Sequence, residues 1–209
     1  MIGPWESLAD TLEASIRGHV RREEPLSAHT TFGIGGPVDI LVEPASEADL
    51  AQTVSLVRQA GAPWFTMGSG SNLLVCDEGI EGVVIRILDN LAGVERVGDT
   101  LRAEAGLVMD RLCDRALEEG LSGLEQFAGI PGTVGGAVYM NAGAFGQEVL
   151  EVVGQVRVLD EQDRWVSLAG PEIQRGYRRT ALMDSGMIVT GADFLLRPGC
   201  KEAIAAQMQ

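Results

Sequence analysis

The 209-residue chain is poor in positive charge and in aromatic side chains, and it has no long apolar run. Its 16 Lys and Arg against 30 Asp and Glu leave a formal net charge of −14. This acidity argues against nucleic acid as a partner. No apolar run approaches the roughly 20 residues of a membrane span, and the N-terminus lacks a signal-peptide pattern. The composition therefore predicts a soluble, cytoplasmic protein of one large or two small domains.

Cysteine is too scarce to build a structural framework. The three cysteines, Cys76, Cys113 and Cys200, are odd in number and widely spaced. They form neither a disulfide framework nor a zinc-binding pattern, so no metal site is predicted. All three are interpreted as reduced packing residues.

Glycine is abundant, with 27 residues, and it is densest over residues 123–146. Because glycine loses more backbone entropy on folding than any other residue, such density indicates that something approaches this backbone closely. Residues 131–140 predict a turn, a helix N-terminus and a short helix, whose free N–H groups would attract an anion. The alternative is tight helix-on-sheet packing through Gly135 and Gly136.

A second glycine cluster follows a predicted β-α-β unit. Residues 38–43 alternate as a strand, a helix begins at Ser46 and closes at Gly61, and residues 64–67 resume as a strand. Such a unit predicts partly parallel pairing. The second strand leads directly into the loop Gly68-Ser69-Gly70-Ser71-Asn72-Leu73.

This loop lacks the third glycine of a dinucleotide fingerprint and the lysine of a P-loop. What remains is a run of N–H and hydroxyl donors able to wrap a pyrophosphate. A plain hairpin turn is the alternative.

The other segments are predicted from periodicity and turn residues. Residues 5–17 and 107–119 are predicted as helices, and residues 21–31 as irregular. Further predicted strands and hairpins cover residues 83–88, 94–105, 152–159, 164–168 and 187–196, and a helix begins near residue 201.

Three arginines lie within five positions at Arg175, Arg178 and Arg179. A planar guanidinium recognises carboxylate or phosphate, and Tyr177 can pack alongside. A solvated basic loop is the alternative.

Taken in order, four motifs resemble one enzyme family. They are residues 29–37, residues 68–74, residues 129–137 with 141–146, and residues 176–178. Together they resemble UDP-N-acetylenolpyruvoylglucosamine reductase, also called UDP-N-acetylmuramate dehydrogenase, the flavoenzyme of bacterial peptidoglycan precursor synthesis. The resemblance covers nearly the whole chain.

The resemblance implies an α+β, two-subdomain FAD-binding fold of the vanillyl-alcohol-oxidase type, with FAD between the subdomains. Subdomain 1 is expected at residues 1–85 and subdomain 2 at residues 86–197. Residues 198–209 would begin a helix leading to a substrate domain that this chain lacks. The implied reaction reduces UDP-N-acetylglucosamine enolpyruvate, a UDP-sugar, with bound FAD and NADPH as co-substrate. The sequence sets no oligomeric state.

The resemblance also implies roles for individual residues. Arg178 matches the family arginine that steadies the enol-like anion, and Tyr177 and Arg178 are expected to bind substrate. The residues expected to bind FAD are Gly68, Ser69, Gly70, Ser71, Asn72, Leu73, Ile130, Pro131, Gly132, Thr133, Gly135, Gly136 and Ala137.

The family serine and glutamate that serve protonation have no counterpart, so impaired turnover is expected. A free-standing FAD-binding module without catalysis and a flavin oxidase on the same fold are the alternatives.

Overall fold

The computed structural model describes residues 4–208. The chain divides into two compact units, Met1–Leu91 and Ala92–Gln209. This division falls a few residues beyond the predicted subdomain boundary at 85/86. The assignment of the two segments as FAD-binding subdomains 1 and 2 stays a prediction. Residues 1–3 and 209, which belong to the predicted segments 1–85 and 198–209, lie outside the described residues.

Unit 1 is a four-stranded sheet with two helices. Its elements are α1 (Glu6–Ser15), β1 (His19–Pro25), β2 (Pro37–Glu43), α2 (Glu47–Ala60), β3 (Trp64–Met67) and β4 (Ile80–Arg86). The strand order is β1-β2-β4-β3, antiparallel between β1 and β2 and parallel elsewhere. The predicted parallel pairing is confirmed, although β4 inserts between the two strands of the β-α-β unit.

Helix α2 shows how local sequence sets an element. The Ser46 side chain accepts a hydrogen bond from the Asp49 N–H at 3.1 Å, as a helix N-cap does. At the other end Gly61 adopts the left-handed conformation, with φ of 66°. Both predicted ends are confirmed. The helix buries one apolar stripe, formed by Leu50, Val54 and Val57.

Strand β1 corrects the prediction that residues 21–31 are irregular for residues 21–25, whereas residues 26–31 form only a short 3-10 turn and bends. Strand β1 is an edge strand whose side chains are mostly charged, which is typical of edges that resist aggregation. Arg21 pairs with Glu43 on β2 at 2.8 Å. Arg22 instead reaches the acidic face of α1, where it contacts Glu6, Asp10 and Glu13. Because ion pairs fill this strand, it shows no hydrophobic alternation.

Unit 2 is built on a five-stranded antiparallel sheet in the order β11-β10-β14-β6-β5. Its strands and helices are β5 (Val94–Val97), β6 (Thr100–Glu104), α3 (Met109–Glu119), β7 (Leu121–Ser122), α4 (Val134–Met140), β8 (Gly143–Ala144), β9 (Gln147–Glu148), β10 (Val153–Leu159), β11 (Trp165–Ala169), β12 (Arg175–Gly176), β13 (Arg179–Thr180), β14 (Ile188–Leu195), β15 (Arg197–Pro198) and α5 (Lys201–Gln207). The predicted elements are confirmed with small shifts at their ends. One core containing the fully buried Phe127 and Phe194 joins this sheet to α3 and α4.

The segment after residue 197 packs on unit 2. Strand β15 pairs with β7, with Arg197 opposite Ser122. On α5, the Ile204 side chain is buried, and the Lys201 ammonium donates to the Glu118 carbonyl. Within residues 4–208, no helix is long and apolar enough to cross a membrane.

The cysteines differ from the prediction that all three are packing residues. Cys113 is buried on α3, whereas Cys76 and Cys200 are exposed, and all three are free thiols. Burial, reinforced by nearby carboxylates, raises the pKa of the Cys113 thiol to about 12. The packing interpretation therefore holds for Cys113 alone.

Alkylation should separate these cysteines. Iodoacetamide at about pH 8, near the ordinary cysteine pKa of roughly 8.5, is expected to modify Cys76 and Cys200 and to spare Cys113, because only the thiolate reacts. Peptide mass mapping measures the modified positions, and the urea-unfolded chain is the control in which all three react. Modification of Cys113 in the folded chain would contradict the buried position.

Candidate functional site

The glycine-serine loop of unit 1 follows β3 and is braced by residues 29–31. Gly70 has φ of +68°, and a Cβ there would lie 2.2 Å from the His29 carbonyl oxygen. The Thr31 N–H donates to the Gly70 carbonyl at 3.2 Å. Only glycine fits this position without moving the backbone. Sequence reasoning gave His29 no role of its own, because its contribution is a backbone contact with a segment far along the chain.

The loop is anchored at one end and has an unpaired hydroxyl at the other. Leu73 packs against the apolar core of unit 1. The Ser69 hydroxyl is buried and has no hydrogen-bond partner among residues 4–208. A buried polar atom left without a partner costs roughly 1–3 kcal/mol, so this hydroxyl is an unfilled donor or acceptor of the kind that a polar ligand satisfies.

At the N-terminus of α4 in unit 2, backbone N–H groups are hydrogen-bonded to other groups of the protein. Thr133 is the N-cap, and its hydroxyl faces the Gly136 N–H at 3.4 Å. The Val134 and Gly135 N–H groups donate to the carbonyls of Leu107 and Ala105, each at 2.8 Å. The prediction of free N–H groups is therefore wrong for these two donors, because the chain before α3 runs alongside and accepts them.

The two adjacent glycines of α4 have different environments. A Cβ on Gly135 would lie 2.9 Å from the Ala105 Cβ, so this glycine serves tight packing. A Cβ on Gly136 would meet only the Thr133 hydroxyl, at 3.6 Å, and otherwise open space. Packing explains Gly135, while exposed Gly136 keeps a flat surface that a ligand can reach.

The other predicted cofactor residues of this stretch also divide by exposure. Thr133 and Ala137 are buried, and Ile130 packs partly against the core. Pro131 is exposed. Gly132 has φ of +133°, a conformation that favours glycine. A ligand that binds unit 2 here would therefore contact the exposed Pro131 and Gly136, while the buried Thr133 and Ala137 pack beneath this surface.

The arginine-rich segment forms a hairpin of β12 and β13. Gly176 pairs with Arg179, so Tyr177 and Arg178 form the two-residue turn. Arg178 has φ of +54°, an uncommon backbone for a side-chain-bearing residue. Its guanidinium donates to the Gly143 carbonyl and lies 5.0 Å from the centre of the Tyr177 ring. Tyr177 is 84% exposed.

The three arginines have different partners. Arg175 donates to the Leu150 carbonyl at 2.9 Å, and Arg179 pairs with Asp184 at 2.8 Å where both side chains are exposed. Arg178 pairs with no carboxylate in the described part of the chain. The solvated-loop alternative fits Arg179, whereas Arg178 keeps a charge available to an anion.

The C-terminal end of α4 anchors this hairpin. The Thr180 hydroxyl donates to the Tyr139 carbonyl at 2.7 Å. The Tyr139 hydroxyl donates to the Met183 carbonyl at 3.4 Å, and burial, with the charge of Asp184 adding to it, raises the pKa of this phenol. The phenol thus stays a neutral donor.

Sequence reasoning gave no role to two residues that contact Arg178 or the hairpin that carries it. A Cβ on Gly143 would lie 3.1 Å from an Arg178 guanidinium nitrogen and 2.5 Å from the Gln147 carbonyl oxygen, so glycine lets the arginine lie close. Asn141 is fully buried and left-handed, with φ of 49°. An asparagine directly after a short helix is a known signal for such a C-cap.

No group of three or more potential metal ligands occurs among residues 4–208.

Comparisons with known proteins place this geometry in a family. A family model described as an FAD binding domain matches residues 38–169. A UDP-N-acetylenolpyruvoylglucosamine reductase from Caldanaerobacter subterraneus subsp. tengcongensis is 40% identical over 205 residues, covering 98% of this chain and 68% of that protein. The crystal structure of UDP-N-acetylenolpyruvylglucosamine reductase from Thermus caldophilus matches with a TM-score of 0.80 at 35% identity, covering 91% of this chain and 67% of that one.

More distant structures share the fold alone. A Physcomitrella patens BBE-like 1 variant matches with a TM-score of 0.70 at 15% identity, covering 91% of this chain and 44% of that one. The expected α+β FAD-binding fold of the vanillyl-alcohol-oxidase type is thereby confirmed. The chain spans 58% to 68% of the length of eight curated reductases that are 36% to 40% identical to it. By its similarity over nearly its whole length, the chain belongs to the UDP-N-acetylenolpyruvoylglucosamine reductase family of oxidoreductases.

Proposed function

We propose that this chain binds FAD and takes part in the NADPH-linked reduction of UDP-N-acetylglucosamine enolpyruvate to UDP-N-acetylmuramate. Family membership supports the reaction. The observation that carries the assignment to particular residues is the left-handed Arg178, whose guanidinium has no carboxylate partner among residues 4–208.

The residues present fit FAD. The buried Ser69 hydroxyl without a partner suits a phosphate oxygen, and the glycine-serine loop around it supplies backbone donors. The open face at Gly136 suits a flat ring or a diphosphate. In a chain of net charge −14, such local donors must outweigh the overall repulsion of an anionic cofactor. Residues 68–73 and 130–137 are therefore proposed to hold FAD, which supplies the hydride chemistry when bound.

Arg178 is proposed to bind the substrate carboxylate and to stabilise the negative charge that develops beside it. A guanidinium suits this role because it stays ionised and meets a carboxylate with two parallel donors. Tyr177, exposed beside it, is proposed to line the same subsite. No serine of this chain is assigned as the proton donor.

An anaerobic experiment separates the steps of this proposal. The purified chain is incubated with excess FAD and desalted, then mixed with NADPH, and then with UDP-N-acetylenolpyruvoylglucosamine. We expect about one FAD per chain, slow bleaching of the visible flavin band by NADPH, and a slow return of the band with the enolpyruvyl substrate, since no proton donor is assigned in this chain. UDP-N-acetylglucosamine, which lacks the enolpyruvyl group, is the matched control and should leave the flavin reduced.

The outcomes distinguish the alternatives. A chain that stays colourless after incubation with FAD contradicts the whole proposal. A yellow chain whose flavin responds to neither NADPH nor the enolpyruvyl substrate would be an FAD-binding module. Flavin reduced by a simple alcohol and reoxidised by oxygen would indicate an oxidase.

A further inference from the structure

We propose that Asn141 is a positioning residue, which sets both the backbone and the guanidinium of Arg178 through one buried side-chain amide. The inference rests on the proposed role of Arg178. It concerns residues of unit 2 alone.

The Asn141 side chain joins two segments that are distant from each other in sequence. Its amide nitrogen donates to a Glu148 carboxylate oxygen at 2.7 Å and faces the Gly176 carbonyl oxygen at 3.3 Å. Its amide oxygen faces the Leu150 N–H at 3.4 Å. Asn141 itself has no exposed surface, so its side-chain amide is shielded from water.

Each contact leads to one end of Arg178. Gly176 belongs to β12 and lies two residues before Arg178, so the contact with its carbonyl holds the turn that carries the arginine backbone. Glu148 lies on β9 directly opposite Gly143 of β8. The Gly143 carbonyl accepts the hydrogen bond from the Arg178 guanidinium. The amide nitrogen of Asn141 therefore contacts both the hairpin that carries Arg178 and the β8–β9 pair, whose Gly143 carbonyl accepts the hydrogen bond from the guanidinium.

Helix capping alone does not explain an asparagine at this position. The left-handed backbone of Asn141 is the conformation that glycine adopts most easily. Glycine would serve the cap but would leave the Glu148 carboxylate and the Gly176 carbonyl without this donor. A carboxylate would repel Glu148 and could not donate to either oxygen. The amide of asparagine supplies a donor to both neighbours.

The test uses Asn141→Gly, which keeps the left-handed backbone, and Asn141→Asp, which keeps the size and loses the donor. Asn90→Gly, at an exposed asparagine of unit 1, is the matched control. The first readout is the dissociation constant of UDP-N-acetylenolpyruvoylglucosamine, measured by the perturbation of the bound-flavin spectrum. The second is hydrogen–deuterium exchange of residues 174–181 in the chain without ligand.

Both Asn141 variants are expected to weaken substrate binding about 10- to 100-fold, as losing a hydrogen bond to a charged group does. They should bind FAD to the normal stoichiometry and exchange faster over residues 174–181. Asn90→Gly should match the parent in both readouts. In the Arg178→Met background, adding Asn141→Gly should change the dissociation constant by less than about 3-fold, because residues that act through one interaction are not additive.

The results separate the inference from the proposed function. If Arg178→Met binds the substrate as the parent does, the role proposed for Arg178 under the proposed function fails. If Arg178→Met binds weakly and both Asn141 variants bind normally, or if the two changes add fully in the double variant, the positioning role is overturned. Should Asn141→Gly fail to fold, the same comparison is made with Asn141→Asp, and unchanged exchange over residues 174–181 in a folded variant overturns the inference by itself.

Discussion

Replacing Arg178 with methionine is expected to slow the substrate-driven reoxidation of reduced, FAD-loaded protein by about 10²- to 10³-fold, the usual effect of removing one donor to a developing anion. Methionine keeps the unbranched apolar stem of the side chain but removes the guanidinium, and with it the contact with the Tyr177 ring and the hydrogen bond to the Gly143 carbonyl. The measurement is a single-turnover return of the visible flavin band after mixing with UDP-N-acetylenolpyruvoylglucosamine. FAD stoichiometry should be unchanged.

The neighbouring arginine provides the control. Arg179 is exposed and pairs with the equally exposed Asp184, and such surface pairs contribute about 0–1 kcal/mol. Arg179→Met should therefore reoxidise within about 3-fold of the parent rate, and Arg178→Lys, which keeps the charge without the planar pair of donors, should fall between the two. Equal loss in Arg178→Met and Arg179→Met would refute a specific role for Arg178.

The second large effect is expected from Gly70→Ala. The new methyl group would lie 2.2 Å from the His29 carbonyl oxygen, and the backbone sits at a φ of +68° that L-residues avoid. Strain of about 3 kcal/mol at such a position corresponds to roughly 100-fold in a binding constant. Since the backbone cannot stay in place, the donors of residues 68–73 move. We expect FAD affinity to fall about 100-fold, measured by quenching of FAD fluorescence on titration with the protein lacking cofactor.

Gly61→Ala separates the clash from the backbone strain. Gly61 has nearly the same φ, +66°, but a Cβ there meets no atom within 4 Å. This variant carries only the left-handed cost of about 1–2 kcal/mol, so its unfolding midpoint should fall while its FAD affinity stays within about 3-fold of the parent. If Gly70→Ala also binds FAD normally, the loop is not the diphosphate site.

Elements whose signals are local were predictable. Ser46 and Gly61 mark both ends of α2 because a side-chain cap and a left-handed glycine are interactions within a few residues. The short helix α4 and the strands of the five-stranded sheet likewise follow from periodicity and turn residues. The ordered motifs carried the family assignment, since they extend over nearly the whole chain.

Predictions failed where a distant segment supplied the partner. Strand β1 lacks alternation because its charges are neutralised by α1 and β2. The N–H groups of Val134 and Gly135 donate to the carbonyls of Leu107 and Ala105, which lie 27 and 30 residues earlier in the chain. The exposure of Cys76 and Cys200 depends on packing that composition does not record.

Residue order alone was enough for most of the secondary structure, the glycine-rich loops and the family, because each depends on contacts within a few residues or on ordered motifs. The choice of Arg178 as a site residue stays a prediction. Tertiary structure alone decided that Gly135 packs while Gly136 stays open, that Arg178 has no carboxylate partner in residues 4–208, and that Asn141 joins Glu148 to Gly176. Burial and hydrogen bonding between distant segments exist only once the chain has folded, so they cannot be predicted from a local sequence pattern.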